Sequence, residues 1–540
     1  MKTKVILLVI LFLALILRVV DINNNPPALY GDELTIALDA ESILKTGHDQ
    51  LGDFLPLTFP MGAGRPAGYV YASIPFVVLF GPTPLGVRAL SILSGLGVII
   101  LLYFIGRKLS SEKLGLAAAF IASVSPWDIS LSRGGFEAHF ALFLALLGIY
   151  LFFKAKETPS LYIWSALCLG LTWHTYPTYK ISLIIFLPLL FWYKSGIKNV
   201  FEDKGRQYFL IGIFILFILG ITSLSQTILG NSEKRFSQIN IFSQQDLIQQ
   251  FEQKINFERS ISMLPQEFSK FFHNKPVEYA KVLIENYLQN FSMDFLVIHG
   301  DRNPRHNMAT MGEAYAVDIV FMLIGLLAFW QRQKKILLFL LIWILIAPLP
   351  TAVVDLPHAL RSSFMLPPLI LLSALGLTKL LDVKNKMLLL AVAMLFLIQL
   401  TFFLQKLYFL APNEYSHFWS YAAKLASEIA NDNKNKYDYV VISDRIDSIE
   451  FAYPVYSKTD PGAIISQNKQ KTKLGNFNFK QFKNVYIGYI PDGETKTFIQ
   501  NIDGSVLFIG TPSLKTNIDS FETSVDKKYE DSLVIIKKTE

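Results

Sequence analysis

The sequence predicts a polytopic α-helical membrane protein of about eleven spans followed by a small C-terminal α/β domain. Three observations lead there. Of 540 residues, 52% are hydrophobic and only 17% are charged, against about 25% charged in a typical soluble domain. The charge is absent in blocks, and about eleven of these approach the roughly 20 apolar residues that a spanning helix needs. After residue 405 the pattern changes to short β-rich runs separated by polar stretches.

The candidate spans run near 5–20, 86–105, 114–126, 136–153, 160–174, 180–193, 208–226, 314–330, 336–350, 364–381 and 387–404. The first follows Lys2 and Lys4 and ends at Arg18. No small-residue cleavage site precedes Asp21, so a retained signal anchor is expected rather than a removed peptide. The apolar stretch 69–80 is too short to cross a bilayer and reads as an interfacial or re-entrant helix. Basic residues cluster at alternate span ends: Lys2 and Lys4; Arg107, Lys108 and Lys113; Lys154 and Lys156; Lys194 to Arg206; Arg332 to Lys335; Lys379 to Lys386. Placing all of them in the cytoplasm puts 21–85, 127–135, 175–179, 227–313, 351–363 and everything after 405 outside. The expected location is the plasma or inner membrane, multi-pass, with an extracytoplasmic active site and C-terminal domain. Residues 1–405 form the expected membrane domain, with long outer loops at 21–85 and 227–313, and residues 406–540 a soluble domain. In that tail, Tyr437–Ser443, Asn484–Ile490, Ser505–Gly510 and Ser532–Lys537 read as strands.

Composition also excludes function classes. A net charge of +7 is small for this length and does not argue for a nucleic-acid partner; in such a chain Lys and Arg set orientation. The single cysteine, Cys168, rules out a disulfide framework or a cysteine-rich metal site. Neither a Walker phosphate loop nor a GxGxxG element occurs. With no large cytosolic domain to hold a nucleotide, the activated substrate of an enzyme here would be membrane-borne.

The chemistry-bearing residues gather in the outer loops. Tyr30-Gly31-Asp32-Glu33 follows the first span and opens a stretch with helical apolar spacing at Leu34, Leu38, Ile43 and Leu44. A carboxylate pair at the membrane surface can be tuned as a base; the same position also suits a plain helix cap stabilised by the dipole. The second outer loop packs Trp127, Asp128, Arg133, Glu137 and His139 between two spans. Ionisable groups that begin a span usually face a cavity or a partner, and an Arg133–Glu137 structural pair is the alternative. Arg65, Lys180 and Arg361 add outward cations, either snorkelling anchors or, beside outward carboxylates, a site for an anionic lipid headgroup. The loop from His299 to His306 holds Asp301, Arg302, Arg305 and His306. Substrate contact, a capped loop and a metal site are the three readings there; neighbouring arginines disfavour the last.

Gly31-Asp32-Glu33, Arg65-Pro66 with Tyr69, Ser125-Pro126-Trp127 through Ser132-Arg133, and Phe136-Glu137 together resemble bacterial members of glycosyltransferase family 39. These are GT-C proteins similar to protein O-mannosyltransferases and to the lipid A aminoarabinose transferase. The resemblance covers roughly residues 1–405. It implies a polyprenyl-phosphate-linked sugar as donor, a glycan, lipid or protein as acceptor, and transfer on the outer face with inversion. It implies Asp32 as general base, with Glu33 and Glu137 shaping the acceptor site. Arg65 would stand next to the lipid phosphate; from the residues themselves, Arg133, Lys180 and Arg361 are candidates for the same phosphate and His139, Asp301, Arg302, Arg305 and His306 are candidate substrate-loop residues. Gly64 stands where some relatives carry an acidic metal ligand, so no metal ligand is assigned and a divalent ion is left open. His139 replaces a plainer residue, and the α/β tail differs from the β-trefoil of the protein mannosyltransferases. A transporter or flippase of lipid-linked glycans is the alternative function, and a membrane anchor displaying the tail is a third.

Overall fold

The computed structural model describes residues 2–61, 64–194, 205–228, 240–330, 333–354, 356–512, 522–528 and 531–539. Most of the basic run between Lys194 and Arg206, part of the loop 227–313, and Arg332 lie outside the described residues. Each of the eleven apolar blocks is helical. Among the described residues, six helices are long and apolar enough to cross a membrane: Pro84–Leu109, Glu137–Lys154, Arg206–Gln226, Lys334–Ala352, Ser363–Leu380 and Lys386–Glu414. A bent pair, Glu112–Val124 and Pro126–Arg133, makes a seventh if counted as one span. Leu161–Trp173 and Ala316–Phe329 are apolar but shorter, with 13 and 14 residues, about 20 Å of helix against a hydrocarbon core of about 30 Å. Arg206–Ile228 and Lys386–Gln405 turn apolar side chains such as Phe214, Phe217, Leu390 and Leu397 outward, as lipid-facing helices do. The stretch expected as a short interfacial helix is the helix Gly68–Phe80.

The bend corrects one expectation. Hydropathy and charge place residues 127–135 in an open outer loop, but Pro126–Arg133 is a helix buried along its whole length. Ser125 is extended and caps it, accepting from the Asp128 N–H at 3.4 Å, while Pro126 occupies the first turn, where its missing N–H is harmless. The axis turns by 57° across this junction.

Among the described residues the C-terminal sheet has seven strands: β3 (Tyr439–Ser443), β4 (Thr472–Leu474), β5 (Phe477–Phe482), β6 (Val485–Gly488), β7 (Val506–Gly510), β8 (Glu522–Lys528) and β9 (Asp531–Lys538). A separate ribbon pairs β1 (Thr58–Phe59) with β2 (Arg65–Pro66). The sheet order is β4-β5-β6-β3-β7-β9-β8, with β6, β3 and β7 mutually parallel. Strand alternation divides the core: Val440 and Ile442 join one apolar cluster and Val441 the other. The first of these clusters extends beyond the tail. It continues through Tyr421, Ile449, Ala452 and Tyr453 into Leu34, Ala37, Leu38 and Ile43 of the helix Gly31–Thr46. Each fully buried Leu or Ile contributes about 1.5–3 kcal/mol. The helix carrying Asp32 is thus held by the α/β tail as well as by the apolar helices.

Candidate active site

The helix Gly31–Thr46 begins after an extended Tyr30 and ends at Gly47, whose φ of 73° is left-handed. Gly31 allows a close approach: a Cβ there would sit 2.9 Å from Ser448 Oγ of the tail. Asp32 and Glu33 occupy the first turn, at the positive end of the helix dipole, and point in different directions. Asp32 lies on the same face as Thr35. Arg65, on β2, reaches both: Nη2 is 2.8 Å from Asp32 Oδ1 and Nη1 donates to Thr35 Oγ1 at 2.8 Å. Its Nε is 2.7 Å from Glu137 Oε1 at the start of Glu137–Lys154. The guanidinium is buried, whereas the Asp32 side chain keeps 37% of its surface exposed. Burial opposes the Arg65 charge, but Glu137 and Asp32 outweigh it and raise its pKa further. The Tyr30 phenol is pushed up by burial and by Asp32, Glu33 and Glu137.

Glu33 faces inward and is fully buried. Arg88 grips it with a fork, Nε to Oε1 at 2.8 Å and Nη2 to Oε2 at 2.9 Å, and the Gly135 N–H donates to Oε1 at 2.7 Å. Arg88 also donates to the carbonyls of Ile22, Pro26 and Ala28. Glu33, expected beside an acceptor, is thus enclosed and ties the loop after the first helix to Pro84–Leu109 and to the turn before Glu137. The sequence reading missed Arg88. Its signal is an arginine inside an apolar helix, where a charge needs a partner.

Two other expected contacts are also structural in their placement. His139 Nε2 is 3.0 Å from Asp128 Oδ1, and Asp128 Oδ2 is 2.5 Å from Arg18 Nη2, all buried among the helices. Arg133 is buried and donates to the carbonyls of Val20 at 3.0 Å and Asn25 at 2.6 Å, with its guanidinium over the Tyr408 ring. Neither is among the residues lining the cavity described below. Lys180 approaches the Ser223 carbonyl at 3.4 Å and is not among the residues lining the cavity described next.

That cavity, of about 700 Å³, opens between the loop 292–306 and the segment 356–361. Asp301, Arg302, His306, His358 and Arg361 line it, together with Phe418 from the start of the tail. It lies beside the carboxylate cluster rather than on it: the His306 ring packs against Phe136 at 6.0 Å, and Phe136 against Tyr30 at 6.2 Å. Arg305 turns away, donating from Nε to the Phe418 carbonyl and covering the Tyr30 ring at 5.1 Å. Asp301 is held by donors. Burial pushes its carboxyl up, but the His306 hydrogen bond, the charges of His306 and His358 and the Asn303 N–H outweigh that and bring it to about 2. Beneath it, buried Glu313 accepts the Asp301 N–H at 3.0 Å, and burial drives its pKa well up. Asp301, His306 and His358 form a group able to hold a metal ion; His358 is the member the sequence reading left out.

The family model described as dolichyl-phosphate-mannose-protein mannosyltransferase matches residues 65–222, a segment that begins at Arg65 and includes Arg88, Arg133 and Glu137. The crystal structure of ArnT from Cupriavidus metallidurans bound to undecaprenyl phosphate superposes with a TM-score of 0.52 and 10% identity, covering 99% of this chain and 97% of that one. The fold is that of the GT-C glycosyltransferases. The Archaeoglobus fulgidus oligosaccharyltransferase, in a complex with Zn and sulfate, gives a TM-score of 0.47 at 15% identity over 84% of this chain, which spans only 61% of its length. No curated protein sequence matches the chain. The GT-C fold accommodates the order of features found here: an acid pair after the first apolar helix, a bent helix pair, and a sheet domain after the last apolar helix.

Proposed function

We propose that the chain is a membrane glycosyltransferase that moves a sugar from a polyprenyl-phosphate donor to an acceptor hydroxyl on the outer face of the membrane, with inversion. The observation that carries this reading is the contrast within one cluster: Asp32 is partly exposed while the Arg65 beside it is buried and braced by Glu137. An acceptor hydroxyl needs a base as it attacks the anomeric carbon, and Asp32 offers an accessible carboxylate whose orientation Arg65 fixes. The leaving group is a phosphate, which needs positive charge nearby rather than a general acid. Arg361 and Arg302 line the adjoining cavity and are suited to it. One carboxylate on the acceptor side and cations on the donor side make a single displacement, hence inversion, unlike the two-carboxylate arrangement of a glycosidase.

The acceptor is a glycan, lipid or protein hydroxyl. The membrane location is the plasma or inner membrane, with the site and residues 406–540 outside. The test is Asp32→Asn in membranes supplied with a labelled polyprenyl-phosphate sugar. Transfer is expected to fall by about 100-fold or more; undiminished transfer overturns the assignment, and movement of the labelled lipid across the bilayer with its sugar linkage intact would instead favour a flippase.

A further inference from the structure

The outer loop after the helix Lys275–Gln289 brings Asp301 and His306 together, and the segment before Leu366–Leu380 brings His358 to them. One ligand atom from each lies within 4.8 Å of the others. Asp301 Oδ2 is 3.0 Å from His306 Nδ1 and 3.6 Å from His358 Nδ1. We propose that these three side chains bind a divalent transition-metal ion of the zinc type, clasping the two outer segments together at the cavity wall.

The separations suit such an ion. Ligands about 2.0–2.2 Å from a tetrahedral zinc lie about 3.2–3.6 Å from one another. The two carboxylate–imidazole distances already fall close to this range, and a small rotation of the imidazoles brings their nitrogens in. Both imidazoles thus converge on the same carboxylate oxygen. The donor set of two nitrogens and one oxygen selects zinc or its first-row neighbours over calcium and magnesium, which take oxygen ligands.

The surroundings hold the carboxylate ready. The Asn303 N–H donates to Oδ1 at 2.9 Å and the Ala359 N–H to Oδ2 at 2.8 Å, leaving Oδ2 a second lone pair for the ion. The Trp127 indole donates to the Ala359 carbonyl at 3.1 Å, so the backbone carrying that N–H is itself fixed. Each imidazole would bind through Nδ1 with its proton on Nε2. All three residues line the cavity, so the fourth position opens into it. One ion with one carboxylate leaves a net positive charge, and Arg302 and Arg361 line the same space; an anion is the matching fourth ligand. That last step rests on the glycosyl-transfer reading, whereas occupancy by the ion stands apart from it.

The experiment uses the full chain in nanodiscs, stripped with chelator and titrated separately with Zn²⁺ and Co²⁺. The expected result is one equivalent of Zn²⁺ per chain and, with Co²⁺, the visible absorption of a tetrahedral nitrogen–oxygen site. His306→Ala, His358→Ala and Asp301→Asn each weaken Zn²⁺ binding by about tenfold or more. Asp32→Asn leaves Zn²⁺ binding unchanged while transfer is lost, which separates failure of the metal site from failure of the transfer reading. The Co²⁺ spectrum of the unaltered chain decides the matter even if a variant fails to fold. No saturable Zn²⁺ binding below about 100 µM, no tetrahedral Co²⁺ spectrum, or full binding in the His306→Ala/His358→Ala double variant overturns the proposal.

Discussion

Asp32 and Glu33 are neighbours in the chain, each is paired with an arginine, and they end in opposite environments. Asp32 meets Arg65 at 2.8 Å with over a third of its side chain exposed; Glu33 meets Arg88 at 2.8 Å with none. The cause is the helix itself. Successive residues are about 100° apart around the axis, so a helix lying flat on the protein turns one acid outward and the next into the core. The chemistry of an acid–arginine pair is the same in both places. What differs is access to water, and that separates their roles. The open pair can meet a substrate, and the closed one holds together three segments of chain.

The largest effect expected from this contrast is on stability. Arg88→Met leaves Glu33 buried without its fork and is expected to destabilise by about 3–5 kcal/mol, read as lost expression or a collapsed melting temperature in detergent. Arg88→Met combined with Glu33→Leu removes both charges and should recover much of that loss. Asp32→Asn, by contrast, should change the melting temperature little while removing transfer. A strongly destabilised Asp32→Asn, or an Arg88→Met of normal stability, would break the comparison.

A smaller effect is a pH dependence within the same helix. Asp39 is buried seven residues after Asp32; burial raises its carboxyl from 3.8 to about 7, partly offset by the Gln50 N–H. The folded form therefore holds a proton that the unfolded chain releases near pH 4. Stability from this group is fully present below about pH 4 and is lost as pH rises to about 7. Asp39→Asn keeps the oxygen that accepts from Gln50 at 3.1 Å and should flatten the pH dependence of the melting temperature over that window. An unchanged slope would remove Asp39 as its source.

Smaller again is the effect on catalysis of loosening the brace. Glu137→Gln removes one of the two carboxylates on Arg65 and lets the guanidinium draw closer to Asp32. Transfer should fall by about tenfold. Loss as deep as in Asp32→Asn would make Glu137 the base instead.

The parts of this arrangement that can be read in sequence are those set by local pattern. Hydropathy locates the apolar helices of the membrane part, since an apolar block of that length has little else to do. Alternation locates β3, β6, β7 and β9, which carry apolar runs such as Val440–Ile442 and Leu533–Ile536. It misses β4, β5 and β8, where Lys473, Asn478, Lys480 and Asp526 interrupt the apolar pattern. Asp32, Arg65 and Glu137 stand out together in the sequence, and they do meet. Which cations face substrate is not legible there, because that depends on what lies behind each residue. Arg133 is absorbed by the Val20 and Asn25 carbonyls, and His139 by Asp128. His358 sits 52 residues after His306, and only the meeting of two distant segments makes them neighbours.

Lys180 tests the same distinction at its faintest. Its sequence position suggests the donor phosphate, with Arg361, yet it approaches the Ser223 carbonyl on the neighbouring helix. Arg361 lines the cavity and Lys180 does not. If exposure to the cavity rather than charge alone decides which cations serve the donor, Lys180→Ala should leave the KM for the polyprenyl-phosphate sugar within about twofold and stability within about 0.5 kcal/mol. Arg361→Ala should raise that KM by about tenfold, the order expected for loss of a charge-assisted phosphate contact. Equal effects from the two substitutions would mean that the donor's headgroup extends beyond the cavity to the helix Thr178–Lys194, and that the division drawn between Asp32 and Glu33 does not hold for the cations.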